Sequence, residues 1–114
     1  MRVMYFVVVA ASLLASSAIA QQALSNDELK QAFAGKKVQW GNYGLAEYRA
    51  DGTYQYTSWD RAGHPVSEGK WEPKDGQLCE TFSAGASRCD KIIKEKDGYY
   101  LIPSRGPRTL GQFK

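Results

Sequence analysis

Glycine-containing turns divide this chain into short segments of strand-forming residues, and their spacing restricts the possible folds more than any other feature. From Val38 onward, runs rich in tyrosine, tryptophan, threonine, valine and isoleucine are interrupted repeatedly. The interruptions are Asp51-Gly52, Gly63, Asp75-Gly76, Gly85 and Asp97-Gly98. Because such punctuation is typical of antiparallel hairpins, the sequence predicts a mainly β domain with about six or seven strands in a meander over 37–102. We expect the sheet to curl into a small barrel or half-barrel.

The turn sequences also predict which residues face each other across the hairpins. A three-residue loop that ends in glycine forms a type I turn followed by a G1 bulge. With Ala50-Asp51-Gly52 as such a loop, Tyr48 faces Tyr54, whereas a two-residue loop would place Tyr48 opposite Gln55. The three-residue loop is preferred because it puts the apolar side chains of both strands on one side of the sheet.

The same rule, applied to three later turns, predicts the remaining registers. The expected facing pairs are Trp71 with Cys79, Cys79 with Cys89, and Ile93 with Leu101, from loops at 74–76, 83–85 and 96–98. A disulfide between Cys79 and Cys89 would then join neighbouring strands, with Trp71 packed beside it. Gly69, two residues before this tryptophan, is expected to allow a close approach of another backbone.

A short helix is predicted before the first strand. Ser25 and Glu28 have the spacing of a capping box, and Leu29 and Phe33 follow at helical intervals. A helix over 25–35 is too short to be stable alone, so it must pack on the sheet.

The mature chain, 21–114, has the length of one domain. Its last part, 103–114, is rich in proline, glycine and arginine, and the sequence predicts an irregular, basic tail there. Leu110 and Phe113 are available in this tail to dock against the domain.

The N-terminal 20 residues have the pattern of a secretory signal peptide. Arg2 precedes an apolar run that gives way to small residues, and we expect cleavage between Ala20 and Gln21. The apolar run is too short for a transmembrane helix, which needs roughly 20 residues. Because the processing point has no cysteine for lipid attachment, no stable membrane anchor is expected after cleavage. The predicted location is the periplasm or the extracellular space.

Export also determines how the two cysteines are interpreted. Cys79 and Cys89 would reach an oxidising compartment, where a structural disulfide is the expected state. A redox-active pair needs closer spacing, and a zinc site needs more ligands than one histidine can add. The disulfide is expected to stabilise the domain by roughly 3 kcal/mol.

Several functional classes lack support in the sequence. The formal net charge of +3 is spread along the chain, which argues against nucleic-acid binding. The only histidine, His64, lies in a turn, and no local motif marks a catalytic nucleophile. No catalytic residue, metal site or cofactor is therefore predicted. The carboxylates that could form a hydrolytic pair are Glu47, Asp51, Asp60, Glu68, Glu72 and Glu80, and nothing singles out any of them.

Aromatic residues form the most informative cluster. Six of them fall within 20 residues: Trp40, Tyr43, Tyr48, Tyr54, Tyr56 and Trp59. They can form the core and its rim, or some of them can line a concave face that binds a small ligand or a protein. For the second alternative, the candidate ligand-binding residues are Trp40, Tyr43, Tyr56 and Trp59.

The order of these motifs resembles a family of small exported bacterial proteins, of the kind frequent in alphaproteobacteria, catalogued as a domain of unknown function. The motifs that carry the resemblance are Asp51-Gly52-Thr53, Gly69-Lys70-Trp71, Asp75-Gly76-Gln77-Leu78-Cys79 and the second cysteine, Cys89. The resemblance implies a periplasmic β-rich domain without an established activity.

Together these features predict a non-enzymatic exported module that binds a small ligand or an envelope protein through aromatic residues. A secreted inhibitor or effector of another protein is the first alternative, and a small hydrolase is the second.

Overall fold

The computed structural model describes residues 22–114. The expected signal peptide, 1–20, and its cleavage site at Ala20 and Gln21 lie outside the described residues. Within the described part, no helix is long and apolar enough to cross a membrane.

The domain is a closed antiparallel barrel preceded by one helix. Each strand pairs with the next along the chain, and the eighth pairs back with the first. The predicted barrel is confirmed, with eight strands where about six or seven were expected. The elements are α1 (Asn26–Phe33), β1 (Lys36–Trp40), β2 (Gly44–Tyr48), β3 (Thr53–Ser58), β4 (Val66–Lys74), β5 (Gln77–Phe82), β6 (Ser87–Glu95), β7 (Gly98–Ile102) and β8 (Thr109–Phe113).

The segment 103–114, predicted to be an irregular tail, contains the strand that closes the barrel. β8 pairs with β7 on one side and with β1 on the other. It removes the two exposed edges that a seven-stranded sheet would leave. The two prolines and two arginines that suggested a tail all lie in the loop 103–108, before the strand begins. Gly111 is essential to this closure, since a Cβ there would overlap the indole ring of Trp40.

Two predicted registers are confirmed. Tyr48 faces Tyr54, and the N–H of Gly52 donates to the carbonyl oxygen of Arg49 at 3.0 Å, as expected for the three-residue loop. Cys79 faces Cys89, and the two form the predicted disulfide between neighbouring strands.

The register predicted for the β4–β5 hairpin is wrong by one residue. Asp75 and Gly76 both have positive φ, 53° and 72°, so they form a two-residue type I′ turn rather than a three-residue loop. Trp71 therefore faces Glu80 instead of Cys79, and both point into the barrel. Successive strand residues alternate between faces, so Cys79 lies on the outside. The disulfide and Trp71 are consequently on opposite faces of the sheet.

The β6–β7 hairpin shows the same kind of shift. Gly98 belongs to β7 and faces Glu95, which leaves a two-residue loop at 96–97. Leu101 therefore faces Ile92, which is fully buried, and not Ile93 as predicted.

The glycine of the Gly69-Lys70-Trp71 motif has the predicted role. A Cβ on Gly69 would overlap the backbone carbonyl of Thr81 on β5, so only glycine allows the two strands to approach so closely. The indole Nε1 of Trp71 donates to the carbonyl oxygen of Arg49 at 2.8 Å.

Helix α1 closes one end of the barrel. Its predicted capping box is present, with Ser25 and Glu28 bonded reciprocally. Asn26 Oδ1 accepts from the N–H of Gly76 in the β4–β5 turn at 2.9 Å, which ties the helix to that end. Phe33 is fully buried and inserts into the interior. Its ring contacts the rings of Trp40, Tyr48, Tyr99 and Phe113.

The opposite end is bordered by the loops 41–43, 59–65, 83–86 and 103–108, and is called the mouth below. The helix and the mouth thus lie at opposite ends of one aromatic interior.

Replacing Phe33 by alanine should lower the free energy of unfolding by about 3–5 kcal/mol, because it empties the end of the barrel that the helix closes. Phe113→Ala is the matched control. Because Phe113 is 44% exposed, its replacement should lower the free energy of unfolding by less. Urea denaturation measures both variants. Equal losses would contradict the role given to Phe33.

Candidate ligand-binding site

A cavity of about 260 Å³ lies at the mouth of the barrel. It is larger than the roughly 150 Å³ that holds one benzene molecule in an engineered core, and slightly smaller than typical ligand pockets of about 300–1,000 Å³. A compound with one ring and a short substituent would fit. The lining residues come from strands and mouth loops: Trp40, Tyr43, Tyr48, Tyr54, Tyr56, Glu80, Phe82, Arg88, Leu101, Pro103, Arg105, Pro107 and Thr109.

Three of the four residues predicted to bind a ligand border this cavity. Trp40 is buried at its inner side, Tyr56 is half-buried, and Tyr43 is 51% exposed at the rim. The fourth, Trp59, is 37% exposed and does not line the cavity. Its backbone N–H donates to the carbonyl oxygen of Tyr43 at 2.8 Å, so the two residues are neighbours on the mouth rim. Trp40 combines the two predicted roles, since it belongs to the core and lines the cavity.

The strand sequence explains how Tyr56 reaches the cavity. Tyr54 and Tyr56 are two residues apart on β3, so both project inward. The phenol of Tyr56 lies over Gly44 on the neighbouring strand, where any Cβ would overlap it. Glycine at this position therefore makes the space that the ring occupies.

Buried tyrosines form the inner wall of the cavity. Tyr48 Oη accepts a hydrogen bond from Trp40 Nε1 at 2.9 Å, and both side chains are buried. Burial raises the pKa of Tyr48 and Tyr54 well above the ordinary range, and it also raises the pKa of Tyr56. These hydroxyls therefore stay neutral, and they can donate and accept hydrogen bonds within an otherwise apolar wall.

Among the described residues that line the cavity, Glu80 is the one that is acidic. Its side chain projects inward from β5, and the residue is only 5% exposed. Arg88 faces it on β6, but Arg88 Nε donates to Asp90 Oδ2 at 2.8 Å. Within residues 22–114, no hydrogen bond to the Glu80 carboxylate is formed.

This environment changes the acidity of Glu80. Burial raises the pKa of Glu80 to about 8, with a smaller lowering effect from Arg88 and a further rise from the negative charge of Asp90. At neutral pH the carboxyl group is therefore mainly protonated. A protonated carboxyl can donate a hydrogen bond, and an ionised one can hold a cation.

In the sequence, Glu80 is one of six candidate carboxylates and nothing singles it out, because the expected β4–β5 register is wrong by one residue. Pairing Trp71 with Cys79 would have turned Cys79 inward and Glu80 outward. The useful signal was the alternation of Leu78, Glu80 and Phe82, which places a carboxyl group between two apolar residues on one strand face.

His64 and Asp51, which were also considered for chemistry, do not line the cavity. His64 is exposed in the loop 59–65, and its N–H donates to the carbonyl oxygen of Arg61 at 3.0 Å. Asp51 accepts from the backbone N–H of Thr53 at 2.9 Å, as a turn residue does. In the described part of the chain, no three His, Cys, Asp or Glu residues are grouped closely enough to hold a metal ion.

Comparisons of this chain with protein-family models, with curated proteins and with solved structures found no significant match.

Stability should depend on pH through Glu80. The unfolded chain loses the Glu80 proton near pH 4.5, whereas the folded protein keeps it to about pH 8. The stability that this proton contributes is complete below pH 4.5 and falls as the pH rises to 8, by up to about 1.4 kcal/mol per pH unit. The Glu80→Gln variant has no carboxyl group to titrate at this position. The free energy of unfolding of the variant minus that of the parent should therefore rise steadily between pH 5 and 8.

Urea denaturation at several pH values measures this difference. Glu72→Gln is the matched control, because Glu72 faces Cys79 on the outer surface of the neighbouring strand and is exposed. A difference between Glu80→Gln and the parent that stays constant with pH would show that Glu80 titrates normally.

Proposed function

We propose that the mature domain is an exported, non-enzymatic binding module that takes a small organic ligand into the mouth of its barrel. The observation that carries the proposal is the cavity of about 260 Å³, which combines aromatic walls with a buried carboxyl group that forms no hydrogen bond within residues 22–114. Ligand pockets typically combine an apolar lining with a few polar groups that fix orientation.

The construction of the barrel supports this interpretation. Small eight-stranded barrels have an interior that side chains just fill, or that holds one small ligand. Here α1 and Phe33 fill one end, and no element of the described chain fills the other. The interior is thus divided between a packed half and a half that is open to ligands.

Export and family membership belong to the same proposal. The N-terminal sequence has the features of a signal peptide, and a disulfide is the state expected of cysteines in an oxidising compartment. We infer a periplasmic or secreted protein that belongs with the small exported bacterial β-rich proteins whose motifs it resembles.

A second candidate function is supported by the rim of the mouth. Tyr43 and Trp59 are neighbours there and are 51% and 37% exposed. Val66, which faces Thr57 at the start of β4, is 52% exposed. Exposed aromatic residues around an opening also suit a surface that binds another protein, as an inhibitor or effector would.

Filling the cavity tests the leading proposal. A panel of single-ring aromatic compounds and monosaccharides is added to the parent and to Thr109→Phe, which places a ring in the cavity. Thr57→Phe is the matched control, because Thr57 projects outward from β3. A ligand at about 100 times its Kd should stabilise the parent by about 2.7 kcal/mol and raise Tm by about 10–20 °C.

The proposal expects this rise to persist in Thr57→Phe and to disappear in Thr109→Phe. Equal rises in both variants would place the binding site elsewhere.

Intact mass spectrometry of the exported protein tests the compartment. Loss of residues 1–20 with oxidised Cys79 and Cys89 supports export, and an uncleaved chain with free thiols contradicts it.

A further inference from the structure

The carboxylate of Glu80 determines what kind of ligand the cavity suits. Glu80 borders the cavity and is 5% exposed, so water reaches it poorly. Within the described chain, its oxygens accept no hydrogen bond. A buried acceptor without a partner costs roughly 1–3 kcal/mol, and more when it is charged. A ligand that supplies an N–H donor with a positive charge would remove this cost.

The nearest cation does not serve as that partner. Arg88 faces Glu80 directly across the β5–β6 pair, but its guanidinium binds the carboxylate of Asp90, which is buried. The Arg88 side chain is also 53% exposed, so its effect on Glu80 is weakened by solvent. The charges of Arg88 and Asp90 largely compensate each other, which leaves Glu80 as the uncompensated acid of the cavity.

The aromatic walls favour a cation in the same place. Rings of tryptophan and tyrosine attract ammonium groups to their faces, most strongly where water is excluded. The tryptophan and tyrosine rings that border the cavity together with Glu80 are those of Trp40, Tyr43, Tyr48, Tyr54 and Tyr56. Burial raises the pKa of Tyr48, Tyr54 and Tyr56, so these three hydroxyls stay neutral and add no competing charge.

Arg105 is the remaining charged residue that lines the cavity within the described part of the chain. It lies in the loop 103–108 and is exposed at the mouth, where salt and water screen it. The positive charge of Arg105 therefore acts mainly on the part of a ligand that lies at the mouth, and less on the part that lies near Glu80.

We propose that the cavity binds a small organic amine in its protonated form, with the ammonium group on the Glu80 carboxylate and the remainder of the ligand against the aromatic walls. This inference rests on the proposed function and specifies its ligand class. Binding is a proton exchange near neutral pH: the ammonium ion enters, Glu80 ionises, and the Glu80 proton passes to solvent.

The proton exchange predicts how affinity depends on pH. Because the Glu80 pKa is about 8, affinity for an amine should rise about tenfold per pH unit between pH 6 and 7.5, and then level off. The groups that surround Glu80 are Arg88 and Asp90 on β6, Tyr48 on β2, and Tyr54 and Tyr56 on β3. The raised pKa values of Arg88 and of these tyrosines keep their protonation constant over that range.

Three probes of nearly the same size distinguish charge from shape: 2-phenylethylamine, 2-phenylethanol and 3-phenylpropanoate. Isothermal titration calorimetry with the mature, oxidised protein should detect the amine as the tightest ligand. At pH 7, titrations in buffers of different ionisation enthalpy should show close to one proton released for each amine bound. Glu80→Gln should weaken amine binding about 10- to 100-fold and abolish the proton release. The outer-face control Glu72→Gln should change neither.

Other outcomes separate this inference from the proposed function. If the alcohol or the propanoate binds as tightly as the amine, the inference fails while a ligand-binding mouth stands. Binding of none of the three probes also overturns it, and the cavity-filling experiment then decides the proposed function independently. Amine binding that is unchanged in Glu80→Gln would show that Glu80 is not the anchor.

Discussion

The two-residue turn at Asp75 and Gly76 determines which side chains of β5 face the interior. Both residues adopt positive φ, which fixes the turn as type I′ and sets Trp71 opposite Glu80. Because side chains alternate along a strand, a shift of one residue would exchange the faces of Cys79 and Glu80. The disulfide would then occupy the barrel interior, and the carboxyl group would lie in water. The character of the cavity therefore depends on this turn.

The barrel is packed unequally along its axis. At one end, Leu29 and Phe33 of α1 are fully buried, and Phe33 meets four aromatic rings. At the other end, tyrosine hydroxyls and Glu80 border an open space of about 260 Å³. A buried carboxyl group with a pKa near 8 destabilises the domain once it ionises. The packed end, the closed sheet and the disulfide supply the stability that lets the open end retain such a group.

Local sequence signals predicted much of this architecture. The capping box of α1, the hairpin at 50–52 and the facing pair Cys79 and Cys89 all follow from short-range turn and cap chemistry. The closing strand β8 was missed, because its pairing with β1 depends on contacts between residues distant in sequence. Two registers were wrong, since an Asp-Gly pair suits either a two-residue or a three-residue loop.

The candidate site was predicted only in part, for related reasons. Tryptophan and tyrosine enrichment identified Trp40, Tyr43 and Tyr56, which do border the cavity, and also Trp59, which lies on the rim. Glu80 was not identified, because the predicted β4–β5 register turns it outward, although its alternation with Leu78 and Phe82 indicates an inward position. Composition thus located the aromatic wall, and the observed register shows the acid that faces it.

Direct titration of Glu80 in the folded protein tests whether the mouth holds a buried, unpartnered acid. The carboxyl carbon of Glu80 can be followed by NMR from pH 4 to 10 in protein labelled with ¹³C, and assigned by its absence in Glu80→Gln. We expect a pKa of about 8 for this resonance in the free protein. A midpoint near 4.5, the ordinary value for glutamate, would show that Glu80 is solvated or already paired, and would contradict the role proposed for Glu80 as the anchor of the ligand.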